Sequence, residues 1–127
     1  MQIMIVDDDA RMRQALTRLL QNAGFQSVEQ ASDGQEALER LGSAVAHIDL
    51  IITDCTMPRL DGIALVRALR ARGDQTPVIM ISGEHNPDLV IQAVKAGVNN
   101  YVPKPIQVQS LIEKIWQTLG VGGAVAM

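Results

Sequence analysis

The chain has 127 residues, 47% of them hydrophobic and 20% charged, with a formal net charge of −3; this fits one domain of ordinary size and excludes a disordered chain. The acidic balance, with no basic cluster to offset it, argues against direct nucleic-acid binding, and no apolar run is long enough to cross a membrane. The single cysteine, Cys55, allows no intramolecular disulfide, and aromatics are only 2% (Phe25, Tyr101 and Trp116), so aliphatic side chains must make the core.

Strand and helix signals alternate along the whole chain, the pattern of an α/β fold with a parallel sheet. Ile3-Met4-Ile5-Val6 is an apolar run too short for a helix and ends in Asp7 and Asp8. Met12, Ala15, Leu16, Leu19, Leu20 and Ala23 then repeat at helical spacing, with Gly24 at the expected helix end. Ser27 to Ala31 reads as a weak, mixed strand, followed by a short helix with Ala37, Leu38 and Leu41 inward. Leu50-Ile51-Ile52-Thr53 is a second buried strand, ending in Asp54, and leads through Met57-Pro58 and Gly62 to a helix with Leu65, Val66 and Leu69 inward. Val78-Ile79-Met80-Ile81 is wholly apolar and ends at Ser82; a helix from about Asp88 to Ala96 stops at Gly97. Asn100 to Val102 predicts a short last strand before Pro103-Lys104-Pro105, and Val108, Leu111, Ile112, Ile115 and Leu119 predict a closing helix ending at Gly120.

The runs beginning at Ile3, Leu50 and Val78 are apolar throughout, as strands covered on both faces must be, whereas the second and fifth strands are mixed or short and suit the edges. A five-stranded parallel sheet, doubly wound in the order 2-1-3-4-5 between two layers of helices, satisfies this with right-handed crossovers. In that order the winding reverses between the first and third strands, where ligands bind at the carboxyl ends. Asp7, Asp8 and Asp54 all end there. Three carboxylates in one crevice repel by several kcal/mol at an intermediate dielectric, so the cluster points to a bound cation or a reaction that keeps it together.

With these residues in place the chain resembles the receiver domain of two-component response regulators, in particular the stand-alone chemotaxis type. The matches are Val6-Asp7-Asp8, Asp54 with Met57-Pro58 and Asp61-Gly62, Ser82 at a strand end, Ala96-Gly97, Tyr101, and Lys104-Pro105. The resemblance covers Gln2 to Leu119 and implies a flavodoxin-like fold, with residues 1–120 as the receiver unit and 121–127 as a disordered tail. It implies that Asp54 accepts a phosphoryl group from a histidine kinase or phosphotransfer protein. It further implies that Mg²⁺ is held by Asp7, Asp8, Asp54 and the Thr56 backbone carbonyl, and that Lys104 and Ser82 engage the phosphoryl group. Ser82 and Tyr101 would form the switch, and the face made by the fourth helix, fifth strand and fifth helix would meet an unidentified downstream protein. The Lys104–Pro105 bond is typically cis in such domains, and Thr56 and Glu84 fall at positions that influence acyl phosphate lifetime. The resemblance makes the chain a monomeric cytoplasmic switch that catalyses only its own phosphorylation and dephosphorylation.

Blander readings exist for each residue taken singly. Asp8 and Asp9 suit a helix cap, Asp54 a turn, Lys104 a solvated loop, Ser82 a strand-end turn and Tyr101 a sheet edge. His47 and His85 read as loop residues, Cys55 as an inert packing thiol, and Met12, Met57 and Met80 as filler. Two rival functions fit less well. A flavodoxin-type electron carrier needs a neutral phosphate-binding loop where Asp7-Asp8-Asp9 stands, and a haloacid dehalogenase-type phosphatase lacks room for its cap.

Overall fold

A computed structural model describes residues 1–43, 47–84 and 86–120. The chain alternates β1 (Gln2–Val6), α1 (Ala10–Asn22), β2 (Ser27–Ala31), α2 (Gly34–Leu41), β3 (Leu50–Asp54), α3 (Gly62–Ala71), β4 (Val78–Ser82), α4 (Pro87–Ala96), β5 (Asn100–Pro103) and α5 (Val108–Thr118). All strand pairs are parallel and the sheet order is β2-β1-β3-β4-β5, as the strand compositions predict. Strand side chains alternate between faces, so each apolar run feeds two cores. Ile3, Ile5, Leu50, Ile52, Ile79 and Ile81 pack with Leu16, Leu20, Leu111 and Ile115 of α1 and α5. Met4, Val6, Ile51, Val78 and Met80 pack with Ala37, Leu65, Val66, Leu69 and Ala93 of α2, α3 and α4. Each fully buried aliphatic chain contributes about 2 kcal/mol of transfer free energy, which lets a core with few aromatics suffice.

Helix boundaries follow local chemistry. Asp9, Asp33, Asp61 and Asn86 cap α1, α2, α3 and α4 through side-chain oxygens that accept from backbone amides. Gly24, Gly97 and Gly120 have positive φ at the expected helix ends. The fourth helix starts at Pro87 rather than Asp88, since proline is preorganised for the first helical position. The last strand runs on through Pro103, at a sheet edge where a missing amide is tolerated. Three expected inward positions face outward: Ala15 and Ala23 on the flank of α1, and Val108, 55% exposed at the first position of α5, where Ile106 packs instead. The tail 121–127 and His85 lie outside the described residues.

The amino ends of the strands are tied together by polar contacts. The Asp49 carboxylate accepts from the Gln2 amide at 2.8 Å, and Asp74 accepts from the Thr76 amide and hydroxyl at 2.9 and 2.6 Å. Arg70, at the end of α3, donates to the carbonyls of Asp74, Thr76 and Gly97 and to Asn99 Oδ1. Near this end Phe25 and Trp116 meet as a tilted ring pair with centroids 5.1 Å apart.

Candidate metal centre

The register of β1 against β3 pairs Val6 with Thr53, which places the next residues, Asp7 and Asp54, side by side at the carboxyl ends of two central strands. One carboxylate oxygen from each of Asp7, Asp8 and Asp54 falls within 4.8 Å of the others. Asp7 is buried, Asp54 partly buried and Asp8 exposed. Asp9, not Asp8, caps α1, accepting from the Arg11 amide at 2.9 Å, so capping and clustering fall to different residues of the acidic run. Burial pushes the Asp54 carboxyl above the usual carboxylate range against the pull of Lys104 and the Cys55 amide. Burial does the same to Asp7, with the Asp54 charge adding to it. An all-oxygen donor set with excess negative charge and raised proton affinity fits a hard divalent cation such as Mg²⁺.

Lys104 reaches this cluster from the loop after β5, its Nζ 3.5 Å from Asp54 Oδ1, and its amide donates to the Ser82 carbonyl at 2.8 Å. The Lys104–Pro105 bond is cis. Ser82 is buried at the end of β4, the neighbour of β3, and its Oγ accepts from the Glu84 amide at 3.1 Å. The Tyr101 hydroxyl donates to the Glu84 carbonyl at 3.1 Å, so Ser82 and Tyr101 grip the same residue from two sides. Thr56 stands exposed on the β3–α3 loop with its hydroxyl 3.5 Å from the Glu84 carboxylate. Cys55 is buried, and burial together with the Asp61 and Asp54 charges pushes its thiol up, consistent with an inert packing role.

Several supporting contacts carry no periodic signal in the sequence, although Gly62 itself stands among the residues of the resemblance. Arg13 of α1 donates to the Asp7 carbonyl at 2.7 Å and to Gln30 Oε1 at 3.2 Å, bracing the β1–α1 turn against β2. Gly62 lies so close to Asp54 that a Cβ there would sit 2.2 Å from the Asp54 carbonyl oxygen, so only glycine allows α3 to start beneath that residue. Arg59 forms an ion pair with Asp33 across two loops, at 2.7 Å. His47 is an exposed loop residue paired with Asp49 at 3.1 Å, just before the amino end of β3, whereas the cluster lies at the carboxyl end.

Residues 3–116 match the family described as response regulator receiver domain. The chain is 44% identical to the chemotaxis protein CheY of Pseudomonas aeruginosa, over 91% of this chain and 93% of that protein. It is 42% identical to CheY1 of Helicobacter pylori, covering 94% and 98%. Among solved structures it is similar to the Vibrio cholerae chemotaxis protein CheY4, with a TM-score of 0.83, 31% identity and coverage of 92% and 97%. A response regulator receiver domain protein from Clostridium thermocellum gives a TM-score of 0.85 at 29% identity, covering 98% of both chains.

Proposed function

The chain belongs to the response regulator receiver domain family of two-component signalling, and from that premise we propose that it is a phosphorylation-dependent switch that accepts a phosphoryl group on Asp54. The observation that carries this is the convergence of Asp7, Asp8 and Asp54 with the Lys104 ammonium 3.5 Å from Asp54. The donor is a histidine kinase or phosphotransfer protein. An Asp54 carboxylate oxygen attacks phosphorus as the bond from phosphorus to the donor's imidazole nitrogen breaks, leaving an acyl phosphate and a neutral imidazole. Asp7, Asp8, Asp54 and the Thr56 carbonyl would hold Mg²⁺, which offsets the charge of the carboxylates and the phosphoryl oxygens. Lys104 pairs with the phosphoryl group, and Ser82 donates its hydroxyl to a phosphoryl oxygen. The protein acts on no other substrate: it is a signalling switch whose chemistry is its own modification.

Output follows from Ser82, Glu84 and Tyr101. If the Ser82 hydroxyl turns to the phosphoryl group, it releases the Glu84 amide, and Glu84 is also what Tyr101 holds. Tyr101 borders α4, where Ile91 and Val94 are 51% and 66% exposed, an apolar surface suited to a downstream protein.

The test is modification by acetyl phosphate or beryllofluoride. The mass increment of a phosphoryl group is expected on wild type only with Mg²⁺ and is expected to vanish in Asp54→Asn; persistent labelling of that variant at another residue would contradict the assignment. For output, beryllofluoride should shift amide resonances over residues 88–119 in wild type and much less in Ser82→Ala. Equal shifts in both proteins mean that coupling runs elsewhere.

A further inference from the structure

Arg59 is the one non-glycine residue with positive φ among the described residues, at 66°. The Leu60 amide donates to the Pro58 carbonyl at 2.8 Å, which closes a three-residue turn of the rare, strained hand around Arg59. Backbone strain of this kind persists only where its surroundings over-determine it. Here the surroundings are the β2–α2 turn. Arg59 Nε and Nη2 both donate to Asp33 Oδ2, at 2.8 and 2.7 Å. The Gly34 amide donates to the Leu60 carbonyl at 3.1 Å, and the approach is so close that a Cβ at Gly34 would lie 2.3 Å from that oxygen. Asp33 is itself fixed: it is 7% exposed, and its Oδ1 accepts from the Glu36 amide at 2.8 Å as the cap of α2.

The loop thus held is the one that carries Thr56. Its far end is fixed by the Gly62 amide, which donates to the Cys55 carbonyl at 2.9 Å. Between these anchors the conformation of Arg59 sets the path of the segment 56–61. We propose that Asp33 is a positioning residue for the metal centre: by holding Arg59 in its left-handed turn, it sets the β3–α3 loop so that the Thr56 carbonyl is presented to the cation held by Asp7, Asp8 and Asp54. This rests on the metal reading given above. Asp33 touches neither the cation nor its ligands, and acts through Arg59.

Two substitutions separate positioning from plain charge. Asp33→Asn keeps a side-chain oxygen to cap α2 but weakens the hold on Arg59, and Arg59→Gly accepts positive φ without any partner. Mg²⁺ titrations of the wild type, each single variant and the double variant are followed by amide shifts of Asp8, Asp9, Cys55 and Thr56, with thermal unfolding to confirm that each is folded. Asp33→Asn should weaken Mg²⁺ binding about ten-fold. Arg59→Gly should bind as wild type does, and adding Asp33→Asn to it should change nothing further. In metal-free protein, the Thr56 carbonyl carbon shift should move in Asp33→Asn and stay in Arg59→Gly. An Asp33→Asn variant with wild-type affinity overturns the positioning role alone. Equal losses on the two backgrounds overturn it in favour of a long-range charge effect. A wild type that shows no response to Mg²⁺ overturns the metal reading, and this inference with it.

Discussion

Asp49 and Asp74 at the amino end of the sheet can be set beside Asp7 and Asp54 at the carboxyl end. Asp74 is penalised by burial as Asp54 is, yet the Thr76 hydroxyl and amide, together with the Arg72 and Arg70 charges, outweigh that penalty and hold its carboxyl below the usual range. The Gln2 amide does the same for Asp49. Asp7 and Asp54 also accept one amide each, from Asp9 and Cys55, but their proton affinity rises, because burial dominates, nearby carboxylates add to it, and the Lys104 ammonium only partly offsets it. Favourable partners outweigh burial at one end; at the other, burial and like charges outweigh the single ammonium of Lys104. The amino end is built for stability, and the carboxyl end holds charges together that would separate if the fold let them.

The largest expected effect tests the stable end. Arg70→Ala leaves the carbonyls of Asp74, Thr76 and Gly97 without their charged donor. It should lower the unfolding free energy in urea by about 3 kcal/mol. A loss under about 1 kcal/mol would break the comparison, since the amino end would then not be what secures the sheet.

At the other end the sign should reverse. Asp7→Asn keeps an oxygen for the Asp9 amide and removes one of the crowded charges. In metal-free buffer at neutral pH it should gain about 1 kcal/mol of stability. Millimolar Mg²⁺ should raise the wild-type melting temperature by roughly 3 °C through mass action and leave Asp7→Asn nearly unchanged. Destabilisation of the metal-free variant would show that the cluster is favourable as it stands.

The smallest effect sharpens the contrast through pH. The folded-state Asp74 carboxyl lies below its ordinary value, so the unfolded chain binds more protons in the window between the two values. The stability it contributes is therefore present above a pH of about 4 and lost as pH falls through the folded value. Asp74→Asn should flatten the acid limb of the stability profile, and an unchanged limb would remove Asp74 from the account.

The sheet order was legible because three strands are apolar on both faces and two are not, a difference written directly in Ile3–Val6, Leu50–Thr53 and Val78–Ile81 against Ser27–Ala31 and Asn100–Pro103. The acidic cluster was legible because Asp7 and Asp8 are the two residues after β1 and Asp54 ends β3. Arg13, Arg70 and the Arg59–Asp33 pair were not, since each acts through contacts set by tertiary packing, such as the 27 residues separating Arg70 from Gly97. Arginine in a polar stretch looks the same whether it braces a carbonyl or faces water. Ala15, Ala23 and Val108 misled for a related reason: small or terminal apolar residues satisfy helical spacing at the margin of the buried stripe as well as at its centre.

The Phe25–Trp116 pair has a practical consequence. Trp116 is the only tryptophan of the chain, and it reports from the far side of the molecule, beside residues that precede β1 and β2. Cys55, not an indole, sits next to Asp54. Tryptophan emission should therefore follow the global loss of structure cleanly while staying nearly silent as the acidic crevice fills, so that one cuvette carries an unfolding signal against which a site-directed probe absorbing well to the red of tryptophan emission can be read.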